Sequence, residues 1–187
     1  MQYKRHLPHW LPEGAILHVR WRLANSFPAL KPEILSHKYQ IPSGPSGPLW
    51  LTDPRIAQVA VDAICFGESP KGFYDLFAYV VMPNHVHMLV EPYAELSTIM
   101  RWLKGRTVRV ANRILGRKHE SFWMDESYDH IIRTAQELKD TIRYIENNPV
   151  RARLVDSPEL WRWSSAFDRP QTAMACPTKE IREGDGY

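Results

Sequence analysis

His85 and His87 stand two residues apart in the run Met82-Pro83-Asn84-His85-Val86-His87-Met88-Leu89-Val90. Residues two apart on a strand leave the same face, so both imidazoles point one way while Val86, Met88 and Val90 point the other. Side by side, they are a ready pair of nitrogen donors for a divalent ion. The bland alternative is one hydrogen-bonded histidine beside one solvated histidine, and a bare His-x-His does not decide between the two. Its placement after an apolar strand matters more. Rings delivered there must be solvated, neutralised or ligated, because unpaired polar groups are costly to bury.

A phenol is the second group of interest. Leu138, Ile142 and Ile145 recur at the spacing of a buried helical stripe. At about 100° per residue Tyr144 points roughly 140° away from it. Asp140, Tyr144 and Asn148 instead share a polar face at i, i+4 and i+8. A tyrosine used for packing belongs in the stripe, although an amphipathic surface tyrosine also fits this placement. Asn148, one turn beyond Tyr144, could add an oxygen donor to the two imidazoles, giving a three-ligand site with positions open to substrate.

A third feature is charge of one sign. Between Leu96 and His119 the basic residues are Arg101, Lys104, Arg106, Arg109, Arg113, Arg117 and Lys118, with no acidic residue among them. A solvated helix face usually mixes signs. This one suggests phosphate contacts, with Arg101, Lys104, Arg106, Arg109 and Arg113 as candidate DNA-binding residues. Trp102, Trp123 and Tyr128 could stack on unpaired bases, though such aromatics more often serve the core.

The elements that must carry these groups follow from pattern. Ala15 to Leu23 alternates as a strand. Thr52 or Asp53 followed by Pro54 starts a helix with Ile56, Val59, Ala60, Ala63 and Ile64 on its apolar face, Phe66 as a further candidate for it, and Gly67 as its stop. Tyr74 to Met82 and His85 to Glu91 form a hairpin. Leu96 to Leu115 is a helix ended by Gly116. Asp129 to Arg133 is a short strand, and Gln136 to Asn147 a last helix ended before Pro149. The segment Trp161 to Ser165 packs back on the body. The predicted order of strand, helix, hairpin, helix, strand, helix indicates an α+β sandwich, a sheet covered by helices.

The whole chain of 187 residues fits one domain, and 44% hydrophobic content suffices for one core. Residues 1–14 read as an irregular N-terminal extension, 15–167 as the folded body and 168–187 as a loose polar tail. The connector at 24–50 holds Ile41-Pro42-Ser43-Gly44-Pro45-Ser46-Gly47-Pro48, too rich in Pro and Gly for regular structure. A net charge of +3 permits nucleic-acid binding without arguing strongly for it. Cys65, in an apolar run, reads as a small core residue, and Cys65 with Cys176 makes neither a disulfide framework nor a zinc site. No signal peptide or apolar run of membrane length is evident, so a soluble, cytoplasmic protein is expected.

Two long segments carry a family likeness. Tyr79-Val80-Val81-Met82-Pro83-Asn84-His85-Val86-His87-Met88-Leu89-Val90 resembles the His-hydrophobic-His (HUH) signature of the single-tyrosine, IS200-like transposases. Tyr144-Ile145-Glu146-Asn147-Asn148-Pro149-Val150-Arg151-Ala152-Arg153-Leu154-Val155 resembles their nucleophile segment. Ser127-Tyr128-Asp129-His130-Ile131-Ile132-Arg133 and Trp161-Arg162-Trp163-Ser164-Ser165 are similar to the branch associated with repetitive extragenic palindromes (REP).

The resemblance spans about residues 15–167. It implies a ferredoxin-like antiparallel sheet packed with helices and a Mg²⁺ or Mn²⁺ ion. It further implies cleavage of single-stranded DNA beside a hairpin, by a monomer or homodimer. On this reading His85 and His87 match the metal pair, Tyr144 the nucleophile and Asn148 the further ligand, a place where some relatives carry Gln. His130 matches a recurrent position of unassigned role. The long connector at 24–50 and the Pro-rich N-terminus have no counterpart and bear on substrate choice. Two rivals stand beside this expectation: a catalytically idle hairpin-binding protein, and a hydrolytic metallonuclease using the histidines with Glu91 or Asp140.

Overall fold

The computed structural model describes residues 12, 14–26, 47–118 and 120–168. Most of the connector at 24–50, most of residues 1–14, nearly all of the tail at 168–187, and Cys176 lie outside the described residues.

The elements follow one another as β1 (Ile16–Arg22), α1 (Pro54–Glu68), β2 (Tyr74–Val81), β3 (His85–Pro92), α2 (Leu96–Ile114), β4 (Tyr128–Ile132), α3 (Ala135–Glu146), α4 (Asn148–Arg151) and α5 (Ser165–Asp168). The four strands make one antiparallel sheet in the order β2-β3-β1-β4. With helices after β1 and β3, this is the ferredoxin-like βαββαβ arrangement. The expected α+β class is therefore present, with β1 and β3 at its centre.

Alternation along these strands sends two sets of side chains to two faces. One face gathers Leu17, Val19 and Trp21 from β1, Val86, Met88 and Val90 from β3, and the apolar stripes of α1 and α2. The opposite face carries Ala78, Val80 and Leu89 and is covered by α3 through Leu138 and Ile145. The odd-numbered β3 positions, His85 and His87, belong to this second face. α3 therefore becomes their roof.

Local chemistry sets the helix ends. Asp53 caps α1 by accepting from the Arg55 backbone N–H, with Pro54 in the first turn. Thr134 caps α3 by accepting from the Glu137 N–H, and Glu137 accepts in turn from the Arg133 N–H. The outer edge of β2 is not left open. Val81 N–H donates to Trp163 O, and the Trp161 indole N–H donates to Val81 O. The expected return of Trp161–Ser165 onto the body thus serves as an edge cover.

Two expectations are corrected. Gly67 does not stop α1, which runs on to Glu68. Instead it is buried under Tyr74, whose hydroxyl donates to Ile64 O at 2.7 Å, and a Cβ at Gly67 would strike that hydroxyl and ring. Cys65 is exposed rather than in the core, because Ala60, Ala63, Ile64 and Gly67 take the inward positions of α1. Gly67→Ala is expected to destabilise the fold by about 1–3 kcal/mol through overpacking. Urea unfolding measures it, and an unchanged midpoint would contradict the close approach.

Candidate active site

Pairing of β1 with β3 sets Arg20 opposite His87 and Arg22 opposite His85, while His18 lies opposite Leu89 and His130. All of these except Leu89 are polar, and all leave the face beneath α3. From α3 the Tyr144 ring comes down at the rim, with its centroid 5.7 Å from that of His87 and 6.1 Å from that of His18, both edge-on. The rings of His85 and His87 are 5.0 Å apart. The phenol therefore meets His87 and His18, with His85 beside His87. Tyr144 is 37% exposed, so the site opens to solvent on the phenol's side.

Each imidazole is held by a named partner. Asn84, buried in the β2–β3 turn, places Oδ1 2.6 Å from His85 Nδ1. An amide oxygen only accepts, so His85 Nδ1 carries the proton and Nε2 keeps its lone pair. His87 Nδ1 lies 2.9 Å from His18 Nε2, and the two rings are stacked with centroids 5.1 Å apart. Burial, aided by the Arg20 guanidinium, pushes the His85 imidazole down to about 4. His18 falls to about 4 through burial, then Arg20 and His130. His87, only 2% exposed, lies well below the ordinary imidazole range, again first through burial. All three rings are neutral at neutral pH, the form in which imidazole binds a metal.

Depressed values in the folded state set a direction for stability. Above about pH 6.5 neither folded nor unfolded rings carry protons, and the fold keeps its full stability with respect to them. As pH falls toward about 4 the unfolded chain takes up protons that the folded chain refuses, so stability declines. The thermal midpoint of metal-free protein is expected to drop between pH 6.5 and 5, above the carboxylate range. A flat profile there would contradict the burial of these rings.

Asn148 opens α4 one turn beyond Tyr144, and its side-chain amide N–H donates to Tyr144 O at 2.9 Å, which leaves the amide oxygen facing elsewhere. The Arg151 guanidinium stands 5.1 Å over the Tyr144 ring. Asp140 is engaged on the outer surface of α3 with Gln136 and Arg143. Among the described residues no three His, Cys, Asp or Glu side chains gather as a metal site, so neither Glu91 nor Asp140 joins the histidine pair in such a group. His130 hydrogen-bonds through Nε2 to Glu137 at 2.7 Å, which ties β4 to the start of α3.

The basic helix α2 packs on the other face of the sheet from the histidines, and its five candidate cations do not form one surface. Arg101 and Lys104 turn toward the site, lining a cleft of about 870 Å³ together with Arg20, Arg22, His85 and Tyr128. Lys104 meanwhile donates to the carbonyls of Met124, Asp125 and Glu126 and so anchors the loop forming one wall. Arg106 lies over the rings of Phe66 and Trp102 at the α1–α2 seam. Arg109 and Arg113 are simply exposed. Of the aromatics, Trp123 is buried with its indole N–H on Thr107, Trp102 packs against Phe66 and Phe73, and Tyr128 stands 57% exposed with Arg20 beside its ring. Tyr128 is thus the one of the three available for stacking.

Sequence reasoning missed His18, Asn84, Arg20 and Arg151 as members of the site. A signal existed for two of them: His18 and Arg20 share the polar face of β1. Only the strand register shows what they meet.

Residues 59–148 match the family model described as "Transposase IS200 like". No curated protein matches the chain. Among solved structures, a REP-associated tyrosine transposase bound to a REP hairpin is similar with a TM-score of 0.57 and 19% identity, covering 89% of this chain and 83% of the other. A presumed transposase from Deinococcus radiodurans R1 aligns with a TM-score of 0.39 and 17% identity over 79% of this chain and 97% of its own.

Proposed function

We propose that the chain, whose residues 59–148 match the IS200-like transposase family model, acts as such a transposase, nicking and rejoining single-stranded DNA at or near hairpins with Tyr144 as the nucleophile. The observation that carries this reading is the approach of the Tyr144 ring to the His87 and His18 rings at 5.7 and 6.1 Å, beside His85, in a site open on one side. A packing tyrosine has no need of that company.

The donor set fits a Mg²⁺ or Mn²⁺ ion. His85 offers a neutral Nε2 lone pair, His87 is a neutral neighbour on the same face, and Asn148 carries an amide oxygen not used in its bond to Tyr144 O. When bound, such an ion neutralises charge on the scissile phosphate and polarises it toward in-line attack.

The chain's own groups do the rest. Arg20 and Arg22 line the cleft and hold the flanking phosphates. Tyr128 offers a ring to an unpaired base. The Tyr144 oxygen bonds to phosphorus as the bond from phosphorus to the 3′-oxygen breaks. The phenolic proton leaves to solvent, and the departing 3′-oxygen takes one up. The product is a 5′-phosphotyrosine ester and a free 3′-hydroxyl. Since the ester is conserved, attack by another 3′-hydroxyl restores the DNA without ATP.

The hairpin enters through the similar protein seen with one, and single-stranded oligonucleotides bearing hairpins are the substrates to offer. With Mn²⁺, a covalent protein–DNA band on a denaturing gel is expected. Cleavage without that band would favour a hydrolytic nuclease, and retention of the hairpin without cleavage would favour an idle binder.

A further inference from the structure

We propose that His18 is a positioning residue of this site: its Nε2 accepts the Nδ1–H of His87, fixing the His87 tautomer that leaves Nε2 as the ligating atom. The proposal rests on the metal-binding reading above and adds to it a residue on a different strand.

The geometry begins with register. His18 lies opposite Leu89, so His87 is its diagonal neighbour across the β1–β3 pair, on the same face. Diagonal neighbours are within reach of ring side chains. Here the reach is used: Nε2 of His18 comes to 2.9 Å from Nδ1 of His87, and the rings lie nearly parallel at 24°. A contact that short between two ring nitrogens needs one proton between them. Either His87 donates or His18 does.

The two choices leave different consequences on the far side of His87. Should His18 donate, the His87 proton sits on Nε2. A proton there would occupy the Nε2 lone pair, the one through which His87 would otherwise ligate. Should His87 donate, Nε2 keeps its lone pair. His85 arrives at the same state by a different partner, since Asn84 Oδ1 takes its Nδ1 proton. Both histidines then present Nε2. Outer partners that fix ring orientation and tautomer are a general feature of metal-binding histidines, and their removal typically weakens metal affinity about 10–100-fold.

Two measurements on the full chain test this. In metal-free protein labelled with ¹⁵N at histidine, long-range ¹H–¹⁵N correlations are expected to show His87 protonated at Nδ1. Protonation at Nε2 overturns the proposal whether or not any variant folds. Mn²⁺ titration by calorimetry is then expected to show about a 10–100-fold weaker affinity for His18→Leu. His18→Gln, whose amide oxygen can still accept, is expected to recover most of it. Equal loss in both variants, or none in His18→Leu, overturns the proposal. Absence of Mn²⁺ binding by the unaltered chain would remove the metal-binding reading itself and this inference with it. Binding that depends on His85 but ignores His18 removes the inference alone.

Discussion

Tyr144→Phe is expected to eliminate the covalent protein–DNA product while leaving hairpin binding close to that of the unaltered chain. The substitution removes one oxygen and little else. The ring stays, and with it the edge-on contacts to His87 and His18 and the Arg151 guanidinium above its face. At 37% exposure the loss is expected to change stability by no more than about 0.5 kcal/mol. The nucleophile, by contrast, is absent altogether, and removing a nucleophile from a site that acts as a unit costs on the order of 10⁴-fold or more in rate. The binding surface does not include the phenolic oxygen, since Arg20, Arg22, Arg101 and Tyr128 line the cleft from other elements. A covalent band that persists in Tyr144→Phe would place the nucleophile elsewhere. Cleavage that persists without any band in either protein would favour hydrolysis.

The pairing of His85 with His87 and the exposure of Tyr144 were legible because both depend on periodicity within one element. Period two puts the imidazoles on one face, and the helical angle turns the phenol off the apolar stripe. The meeting of the two was not legible from those periods. It depends on α3 folding over the face that β3 leaves polar, a tertiary choice that only the family likeness pointed to. His18 shows the limit most clearly, since its partner lies 69 residues away and is found only through the β1–β3 register.

Gly67 was misread for a different reason. A glycine near a helix end signals a stop and a close approach equally well, and here Tyr74, seven residues on, supplies the close approach. The one-signed charge of α2 was read as a single surface. The helix in fact packs on the far side of the sheet from the histidines, and only Arg101 and Lys104 reach the cleft that His85 lines.

His85→Ala and His87→Ala are each expected to abolish the stabilisation that Mn²⁺ confers and to reduce cleavage on the order of 10³-fold, the rate equivalent of several kcal/mol of lost phosphate polarisation. Comparing activities alone would mislead. His87 is 2% exposed, and its truncation removes the hydrogen bond to His18 Nε2 and leaves a void beneath α3; His85→Ala likewise removes the hydrogen bond to the Asn84 amide oxygen. Either change is expected to lower stability by about 1–3 kcal/mol without any metal present. The discriminating quantity is therefore a difference within each protein. An ion that binds only the folded chain raises its stability by about 2.7 kcal/mol at a hundred times its dissociation constant. That increment is expected in the unaltered chain and in Tyr144→Phe, which keeps every proposed ligand, and is expected to vanish in both histidine variants whatever their starting midpoint. The combination separates ligand from nucleophile: Tyr144→Phe binds the ion and forms no adduct, while the histidine variants lose the ion and the adduct together. Cleavage that continues unchanged in chelator, with Mn²⁺ giving no increment to any of the proteins, would leave the two imidazoles as merely well-packed neighbours.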